Sequence, residues 1–467
     1  MKKDSILKAL GITFAVIVLL SWVIPAGSYS NGTFTSLEST LPIGLYDFVR
    51  VPVLTIATFI QYGLLFLAIG GFYGVLNKTG VYSNIINSIV KKCKNKKLFL
   101  IITVICFALV TSLTGLTEVM FLLVPFFVAI LLKLGYNKLV AFTSTVGAIF
   151  VGNIGSTLGF NVWGYFKNYL SLDMTTLILA RIILLVMMVA LLVIALLKIT
   201  KNDKKAKEET IEIPLFEENK SKKSALPLII ISILLFVLLV IGGYNWYYSF
   251  EIETFTNLYE SISTMEIAGR TWVKDIFALG NTPVLGFFQN YDITIILVFV
   301  SLIIGWVYNV KMKDIVSGFA KGAKEMLLPA TYAVLACIAY ACVLNMGGSS
   351  FVTTIINKFV NAESFSFMGT VGTGLVGSFV YNDLSTLLET ISTIFTSYDA
   401  NVIPVVAFII QGMFGLVSLI APTSVYLLAG LSLCDISYKE WIRHIWKFAL
   451  ILFGIIIVVA FILTTII

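Results

Sequence analysis

The sequence predicts an all-α polytopic membrane protein, built as an inverted-topology repeat with two re-entrant hairpins and two broken helices. Of its 467 residues, 58% are hydrophobic and 12% are charged, whereas roughly a quarter of the residues in soluble domains carry charge. The apolar residues form runs long enough to enter a bilayer. Two of these runs are interrupted by Gly, Pro, Ser, Thr and Asn, which membrane proteins tolerate only where protein or a cavity surrounds the freed backbone.

Composition and residue types argue against several other classes of protein. The net charge of +7 comes from lysines in short runs between apolar segments, which indicates membrane topology rather than nucleic-acid binding. The five cysteines are scattered, and His444 is the single histidine, so neither disulfides nor a His/Cys metal site is expected. One histidine expected at the membrane interface supplies no catalytic cluster, so we predict neither an enzyme nor a cofactor.

The first repeat is assigned to residues 1–198. Lysines precede the first span, residues 6–24, which has no signal-peptidase site; this predicts a cytoplasmic N-terminus. The second span, 54–77, leads into a lysine-rich stretch that contains an amphipathic helix at 82–90. Two apolar runs then flank the polar stretch 111–118, and each is short against the ~20 residues of a full span. They predict a re-entrant hairpin with its tip at 111–118.

A broken helix is predicted near 152–161, within V-G-N-I-G-S-T-L-G-F-N, and the chain returns through residues 175–197. Arg181 lies near the end of that returning span, so we expect it to snorkel to the interface rather than form an internal ion pair. Residues 199–224 are predicted to be a charged, flexible cytoplasmic linker. Residues 225–290 supply an extra span and an acidic external loop.

The second repeat, residues 291–467, follows the same plan. A hairpin tip is expected near 381–386 and a broken helix near 419–430, within L-I-A-P-T-S-V-Y-L-L-A-G. The remaining elements are spans at 293–308, 326–344 and 402–417, an amphipathic interfacial helix at 436–447 and a last span at 448–467.

Short motifs support the repeat. V-L-N-K-T-G at 75–80 matches V-L-N-M-G-G at 343–348, and I-I-N-S-I-V at 85–90 matches I-I-N-K-F-V at 355–360. Because one extra span separates the halves, the lysine pattern gives them opposite orientations.

Ionisable groups at membrane depth identify the candidate site. An acidic residue at the centre of a bilayer costs about 2.5–3.5 kcal/mol on insertion scales, so Glu118, Asp383 and Glu389 should face a cavity or a partner. The candidate binding residues are Thr114, Gly115, Thr117, Glu118, Asn153, Gly155, Ser156, Thr157, Asn161, Asn382, Asp383, Ser385, Thr386, Glu389, Pro422, Thr423 and Ser424.

The chemistry of these residues fits a small carboxylate and a cation. Half-helix N-termini attract a carboxylate, while unwound carbonyls suit Na⁺, so Na⁺ at the hairpin tips or H⁺ on the acids is the candidate coupling ion. The alternative interpretation is that small residues only let helices pack closely.

Interrupted spans in two halves are typical of secondary transporters. We therefore expect a secondary active transporter that moves a small carboxylate-bearing solute, such as an amino acid, dipeptide or dicarboxylate, by ion coupling or exchange. The expected location is the bacterial cytoplasmic membrane. The alternative is a cation/proton antiporter or an ion-conducting channel that uses the same acids. The expected partners are the solute and the lipid bilayer, with no nucleic acid.

Several motifs resemble those of the YfcC/DcuC-type carriers of the ion transporter superfamily. They are W-V-I-P-A-G-S-Y (22–29), L-P-I-G-L-Y-D (41–47), G-G-F-Y-G-V-L-N-K-T-G (70–80), G-L-T-E (115–118), G-S-T-L (155–158) and A-P-T-S-V-Y-L-L-A-G-L (421–431). The resemblance implies a homodimer with elevator-like alternating access, and carriage of C4-dicarboxylates, basic amino acids, small peptides or organic acids. The chain differs where relatives often carry acids, at Val119 and within Q-G-M-F-G (411–415), so the resemblance leaves the coupling ion and solute open.

Overall fold

The computed structural model describes residues 4–30, 33–37, 39–202, 212–346, 349–360 and 364–466. Over these residues the chain is mostly helical, in agreement with the sequence. Eight of the described helices are long and apolar enough to cross a bilayer, or nine if one bent pair counts as a single span. The predicted motif at 343–348 extends into residues 347–348, which lie outside the described part.

The first half of the described chain runs from the N-terminus to the charged linker. Its helices are α1 (Asp4–Val23), α2 (Asp47–Thr79), α3 (Val81–Lys92), α4 (Lys96–Thr114), α5 (Thr117–Lys133), α6 (Lys138–Phe142), α7 (Ala148–Ile154), α8 (Tyr165–Leu170) and α9 (Ile178–Asn202). Two π-helical turns, Thr143–Gly147 and Phe160–Gly164, join α6 to α7 and lead into α8.

The second half begins after the linker. Its helices are α10 (Leu226–Gly243), α11 (Trp246–Phe250), α12 (Thr254–Ser263), α13 (Trp272–Ile276), α14 (Asn290–Val307), α15 (Met312–Glu325), α16 (Leu327–Ala336), α17 (Ile338–Asn345), α18 (Phe351–Phe359), α19 (Phe367–Val380), α20 (Leu384–Ile391), α21 (Ile403–Ile420), α22 (Val425–Leu433) and α23 (Tyr438–Ile466). Short 3₁₀ turns occupy Leu279–Asn281 and Ser392–Ser397. The predicted span 326–344 is bent by 42° between α16 and α17.

Two tips and two breaks interrupt these helices. The first tip is residues 115–116, between α4 and α5, and the second tip is residues 381–383, between α19 and α20. The first break is residues 155–159, after α7, and the second break is residues 421–424, between α21 and α22. In each half, the hairpin precedes the broken helix. The inverted orientation and the elevator motion stay predictions.

The second break is shorter than predicted. The expected irregular stretch was 419–430, but α22 begins at Val425. Leucine and alanine are strong helix formers, so the backbone resumes a helix as soon as A-P-T-S has passed.

The hairpin helices are longer than their apolar runs. The helix α4 has 19 residues and α5 has 17, because lysines at the start of α4 and the hydroxyl residues of its last turn continue the helix. The expectation that each arm is too short to cross a bilayer is therefore wrong for α4, which is long and apolar enough to do so.

A two-stranded β-hairpin departs from the all-α prediction. The strands β1 (Gly27–Ser30) and β2 (Thr33–Ser36) pair antiparallel, and Gly27 also forms a β-bridge with Ser350. The Tyr29 hydroxyl donates a hydrogen bond of 2.6 Å to Asn357 Oδ1 on α18. These contacts attach the segment after α1 to the second half.

The C-terminal region is one continuous helix. The helix α23 begins at Tyr438, so it contains most of the interfacial helix expected at 436–447 and the span expected at 448–467 as far as Ile466, where the described residues end. Trp441 is fully buried, and its indole N–H donates to the Leu419 carbonyl at 3.0 Å. This tryptophan is therefore a core contact and not an interface anchor. His444 lies 3.2 Å from Thr143 Oγ1 and is half-buried.

The described part of the linker, residues 212–224, is docked rather than free. Leu215 is buried, and its carbonyl accepts a hydrogen bond from Asn77 Nδ2. Glu218 pairs with Lys133 of α5 at 2.5 Å, and the Lys133 ammonium holds the pKa of this carboxyl below its usual range. The prediction of a flexible segment is wrong here, and residues 203–211 lie outside the described part.

Candidate functional site

Residues of both tips, of the second break and of the helical segments on either side of the first break line one cavity of about 370 Å³. Its size falls within the roughly 300–1,000 Å³ of small-molecule sites. Nine of the candidate residues lie on its wall: Gly115, Thr117, Glu118, Asn153, Asn161, Asn382, Asp383, Thr423 and Ser424. The structure therefore brings these nine residues together, and we call this space the central cavity.

The first tip is tied to the first broken helix. Gly115 adopts a left-handed conformation (φ +72°), and a Cβ built on it would lie 3.0 Å from the Asn161 backbone nitrogen. Only glycine fits both requirements without strain. Asn161 Nδ2 donates to the Gly115 carbonyl at 3.3 Å, and Asn153 Nδ2 donates to Thr117 Oγ1 at 3.0 Å. This packing sets Glu118, in the first turn of α5, on the cavity wall.

The second tip is tied to the second break in a similar way. Asp383 is the N-cap of α20, and its Oδ2 accepts hydrogen bonds from Thr386 N at 3.1 Å and Thr386 Oγ1 at 3.3 Å. Asn382 Nδ2 donates to the carbonyls of Thr423 and Ala336. The Oδ1 atom of Asn382 and the hydroxyl of Ser378 are buried without a partner among the described residues. Both residues line the central cavity, so a bound group can satisfy these atoms.

Three side chains that the sequence analysis did not choose hold the first break. Ser112 Oγ donates to the Gly155 carbonyl at 2.7 Å, and its own carbonyl accepts from the backbone nitrogens of residues 157–159. Gln411 Nε2 donates to the carbonyls of Ile154 at 2.7 Å and Ser156 at 3.1 Å. Breaking the helix frees backbone groups, and these side chains satisfy them.

Arg181 is the third of these side chains. It is fully buried and donates to the carbonyls of Thr157 at 2.7 Å and Met174 at 2.6 Å. Its guanidinium also lies 3.6 Å from the ring centroid of Trp163, which donates in turn to Gln411 Oε1 at 2.6 Å. The expectation that Arg181 snorkels to the interface is therefore wrong. It neutralises exposed carbonyl dipoles inside the protein instead.

The central cavity is acidic. Glu118 and Asp383 are its carboxylates, and no Lys, Arg or His occurs among the described residues that line it. Four tyrosines that the sequence analysis missed also line the wall: Tyr62, Tyr165, Tyr381 and Tyr426. The first turns of α5 and α22 also reach the cavity, and the N–H groups of a first turn have no intrahelical acceptor. The wall therefore offers groups for a cation and groups for an anion.

The other eight candidate residues lie off the central cavity. Gly155, Ser156 and Thr157 form the break that Ser112 and Gln411 hold, and Thr114 Oγ1 donates to the Val110 carbonyl within α4. Ser385 contacts the Tyr169 hydroxyl at 3.3 Å.

Two neighbouring cavities contain the rest. Thr386 and Glu389 line a cavity of about 340 Å³ that shares Tyr381 with the central one. Pro422 lies in another cavity, with Lys8 and Tyr438.

Comparison with known proteins gives relatives at low identity. An uncharacterised protein of Haemophilus influenzae is 24% identical over 199 residues, a match that covers 31% of this chain and 38% of the relative. Among solved structures, the YdaH transporter of Alcanivorax borkumensis matches with a TM-score of 0.36 at 13% identity, over 98% of this chain and 97% of that one. MtrF of Neisseria gonorrhoeae, described as illuminating a class of antimetabolite efflux pumps, matches with a TM-score of 0.38 at 11% identity, over 97% and 94%.

The family comparison covers most of the sequence. Residues 4–382 match the family described as the C4-dicarboxylate anaerobic carrier, DcuC. This match includes the first tip, the first break and residues 381–382 of the second tip, and it agrees with the apolar helices of the fold. The chain therefore belongs to the C4-dicarboxylate anaerobic carrier family, and it is a multi-pass membrane transporter rather than an enzyme.

Proposed function

We propose that the protein is a secondary active transporter that carries a small carboxylate-bearing solute, such as a dicarboxylate, amino acid or dipeptide, across the bacterial cytoplasmic membrane by alternating access. The observation that carries this proposal is the convergence of two hairpin tips, the second break and the residues that flank the first break on one cavity of about 370 Å³. The family name supports a dicarboxylate as the first solute to test.

The cavity wall can recognise a carboxylate without a basic side chain. The first turns of α5 and α22 direct backbone N–H groups and the positive ends of helix dipoles toward bound anions. Thr117, Ser424 and Tyr426 add hydroxyl donors on the same wall.

Charge balance favours a cation that moves with the solute. A dicarboxylate would meet Glu118 and Asp383 in a cavity whose described lining has no basic residue. Like charges in a poorly solvated site repel, so Na⁺ or H⁺ must offset them, or the solute must carry its own ammonium group. Asn382 and Ser378 line the cavity, and their unpartnered buried oxygens, Oδ1 and Oγ, can bind such a cation.

Ion coupling supplies enough free energy for uptake. One cation moving down 100 mV yields about 2.3 kcal/mol. A tenfold concentration gradient adds about 1.4 kcal/mol, and together these support several-hundredfold accumulation of a neutral solute.

Uptake into proteoliposomes tests the proposal. Labelled C4-dicarboxylates and amino acids are presented with a Na⁺ gradient, with a proton gradient, or with unlabelled solute inside. We expect saturable uptake by the parent and at least a tenfold loss in Glu118→Gln. Glu266→Gln removes an exposed carboxylate of the α12–α13 loop and is the matched control, expected to transport like the parent. Equal uptake by Glu118→Gln and the control would contradict the site assignment.

A second candidate function is a cation/proton antiporter or ion channel. It is favoured by the same feature, two cavity carboxylates without a basic partner among the described lining residues. This candidate predicts proton flux or current in liposomes that contain no organic solute. Flux without solute that Glu118→Gln abolishes would replace the carrier proposal.

We also propose a homodimer with a cytoplasmic N-terminus. The lysine-rich stretch after α2 supports this orientation through the positive-inside rule. Cross-linking in membranes tests the dimer, and labelling of a cysteine placed at Glu266, expected outside, tests the orientation.

A further inference from the structure

A second, larger cavity of about 730 Å³ separates α10 from a wall made by α2, α3 and α5. It shares no lining residue with the central cavity. Its wall is apolar along most of its length, with Phe72, Leu122, Phe126 and Phe236 among its residues. The transport proposal assigns no role to this space.

Two polar groups distinguish this cavity from a simple packing gap. Tyr82 is 3% exposed, and its hydroxyl has no hydrogen-bond partner among the described residues. A buried hydroxyl without a partner is destabilising, so a ligand that accepts a hydrogen bond from it is stabilised there. Lys92, the last residue of α3, is exposed, lines the cavity and has no carboxylate partner in the described part of the chain.

The length of the cavity fits the hydrocarbon chains of one bilayer leaflet. The cavity follows α10 from Ala225 to Phe236, which is about 16 Å at 1.5 Å per residue. This length is close to half of the ~30 Å hydrocarbon core, which is one leaflet.

We propose that this cavity binds an anionic glycerophospholipid of the cytoplasmic leaflet. The acyl chain lies between α10 and α5, the Tyr82 hydroxyl donates to a lipid oxygen, and the Lys92 ammonium contacts the phosphate. Lysines at the end of α3 and the start of α4 add positive charge at the same end of the cavity.

Native mass spectrometry of the full-length, delipidated protein tests this proposal. Phosphatidylglycerol is titrated in, and phosphatidylethanolamine with the same acyl chains is the neutral comparison. We expect one phosphatidylglycerol per chain to be retained more strongly than phosphatidylethanolamine. Lys92→Ala should weaken its retention about fivefold, the contribution of one lysine at an anionic interface. Lys94→Ala, a neighbouring exposed lysine outside the cavity, should stay within twofold of the parent.

Variants that change the interior complete the test. Ser232→Trp fills the space beside α10 and should abolish retention, and Ser88→Leu serves if that variant does not fold. Tyr82→Phe removes only the hydroxyl and should weaken retention while the ring packing remains. Equal retention of both lipids, or undiminished retention in both Lys92→Ala and the filled variant, would overturn the proposal. A filled variant that changes the oligomeric mass while retaining the lipid would assign the cavity to a protein interface instead.

Discussion

Asp383 combines two roles that mutations can separate. Its Oδ2 caps α20 through hydrogen bonds to Thr386 N at 3.1 Å and Thr386 Oγ1 at 3.3 Å, and its charge faces the central cavity. Asn and Ser are also good N-caps, so Asp383→Asn and Asp383→Ser keep the cap and remove the charge. Asp383→Ala removes both.

The expected magnitudes follow from these two contacts. Loss of an N-cap costs about 1 kcal/mol, so Asp383→Ala should lower the free energy of unfolding by that amount, while Asp383→Asn should change it by a few tenths. If the charge binds a coupling cation, the initial uptake rate should fall at least tenfold in all three variants, because the second tip has no other carboxylate that could replace Asp383.

The assay pairs transport with stability. Initial uptake rates are measured in proteoliposomes at equal protein density, and thermal unfolding is measured in detergent. If Asp383→Asn transports like the parent and only Asp383→Ala loses uptake, then Asp383 acts by capping α20 and its charge has no role in transport.

Three further predictions concern the surroundings of the central cavity. Gly115→Ala and Gly135→Ala both force an alanine into a left-handed conformation, which costs about 1–2 kcal/mol. They differ in their surroundings, because a Cβ at Gly115 would lie 3.0 Å from Asn161 N, whereas the atom nearest to a Cβ at Gly135 is 3.9 Å away. Both should lower the thermal stability and only Gly115→Ala should lower uptake; equal uptake in the two would contradict the role of the first tip. Arg181→Lys keeps the charge but loses the guanidinium that donates to two separate carbonyls, so the free energy of unfolding should fall by about 1.5–3 kcal/mol. The KM for uptake should also rise, and an unchanged KM would leave Arg181 a purely structural residue. Glu389→Gln lies off the central cavity and should keep uptake within twofold of the parent, whereas inactivity would extend the site to the neighbouring cavity.

The interruptions of the helices could be predicted because the residues at them leave backbone groups unpaired. Gly155, Ser156 and Pro422 stand inside apolar runs, and the structure breaks the helices at those places. The extent of each break was less predictable, since the residues that follow Ser424 favour a helix and shorten the second one.

The side chains that hold the first break could not be found by pattern. Gln411 is separated from the carbonyls it binds by more than half of the chain, so its partners exist only in the folded protein. The position of Arg181 near a helix end suggests snorkelling, but it does not tell whether the side chain points into the protein or toward the bilayer. An isolated Gln within the apolar run of α21 was the available signal for a buried polar contact.

The amphipathic pattern at 436–447 correctly predicted a helix and wrongly predicted that it is separate from the last span. The stretch 436–447 has the expected period, but nothing in it ends the helix, so α23 continues through it. In the linker, the high charge predicted disorder, whereas Leu215 and the Glu218–Lys133 pair dock residues 212–224 onto the helices.

Solute protection of single cysteines tests the central claim most directly. In a background without the five native cysteines, one cysteine replaces Thr117, Asn153, Asn382 or Ser424, so that each tip and each broken helix is represented. The rate of modification by a small thiol reagent is measured with and without the transported solute. If all four elements surround one solute, it should slow modification at every position. Protection in one half of the chain alone would contradict the shared cavity.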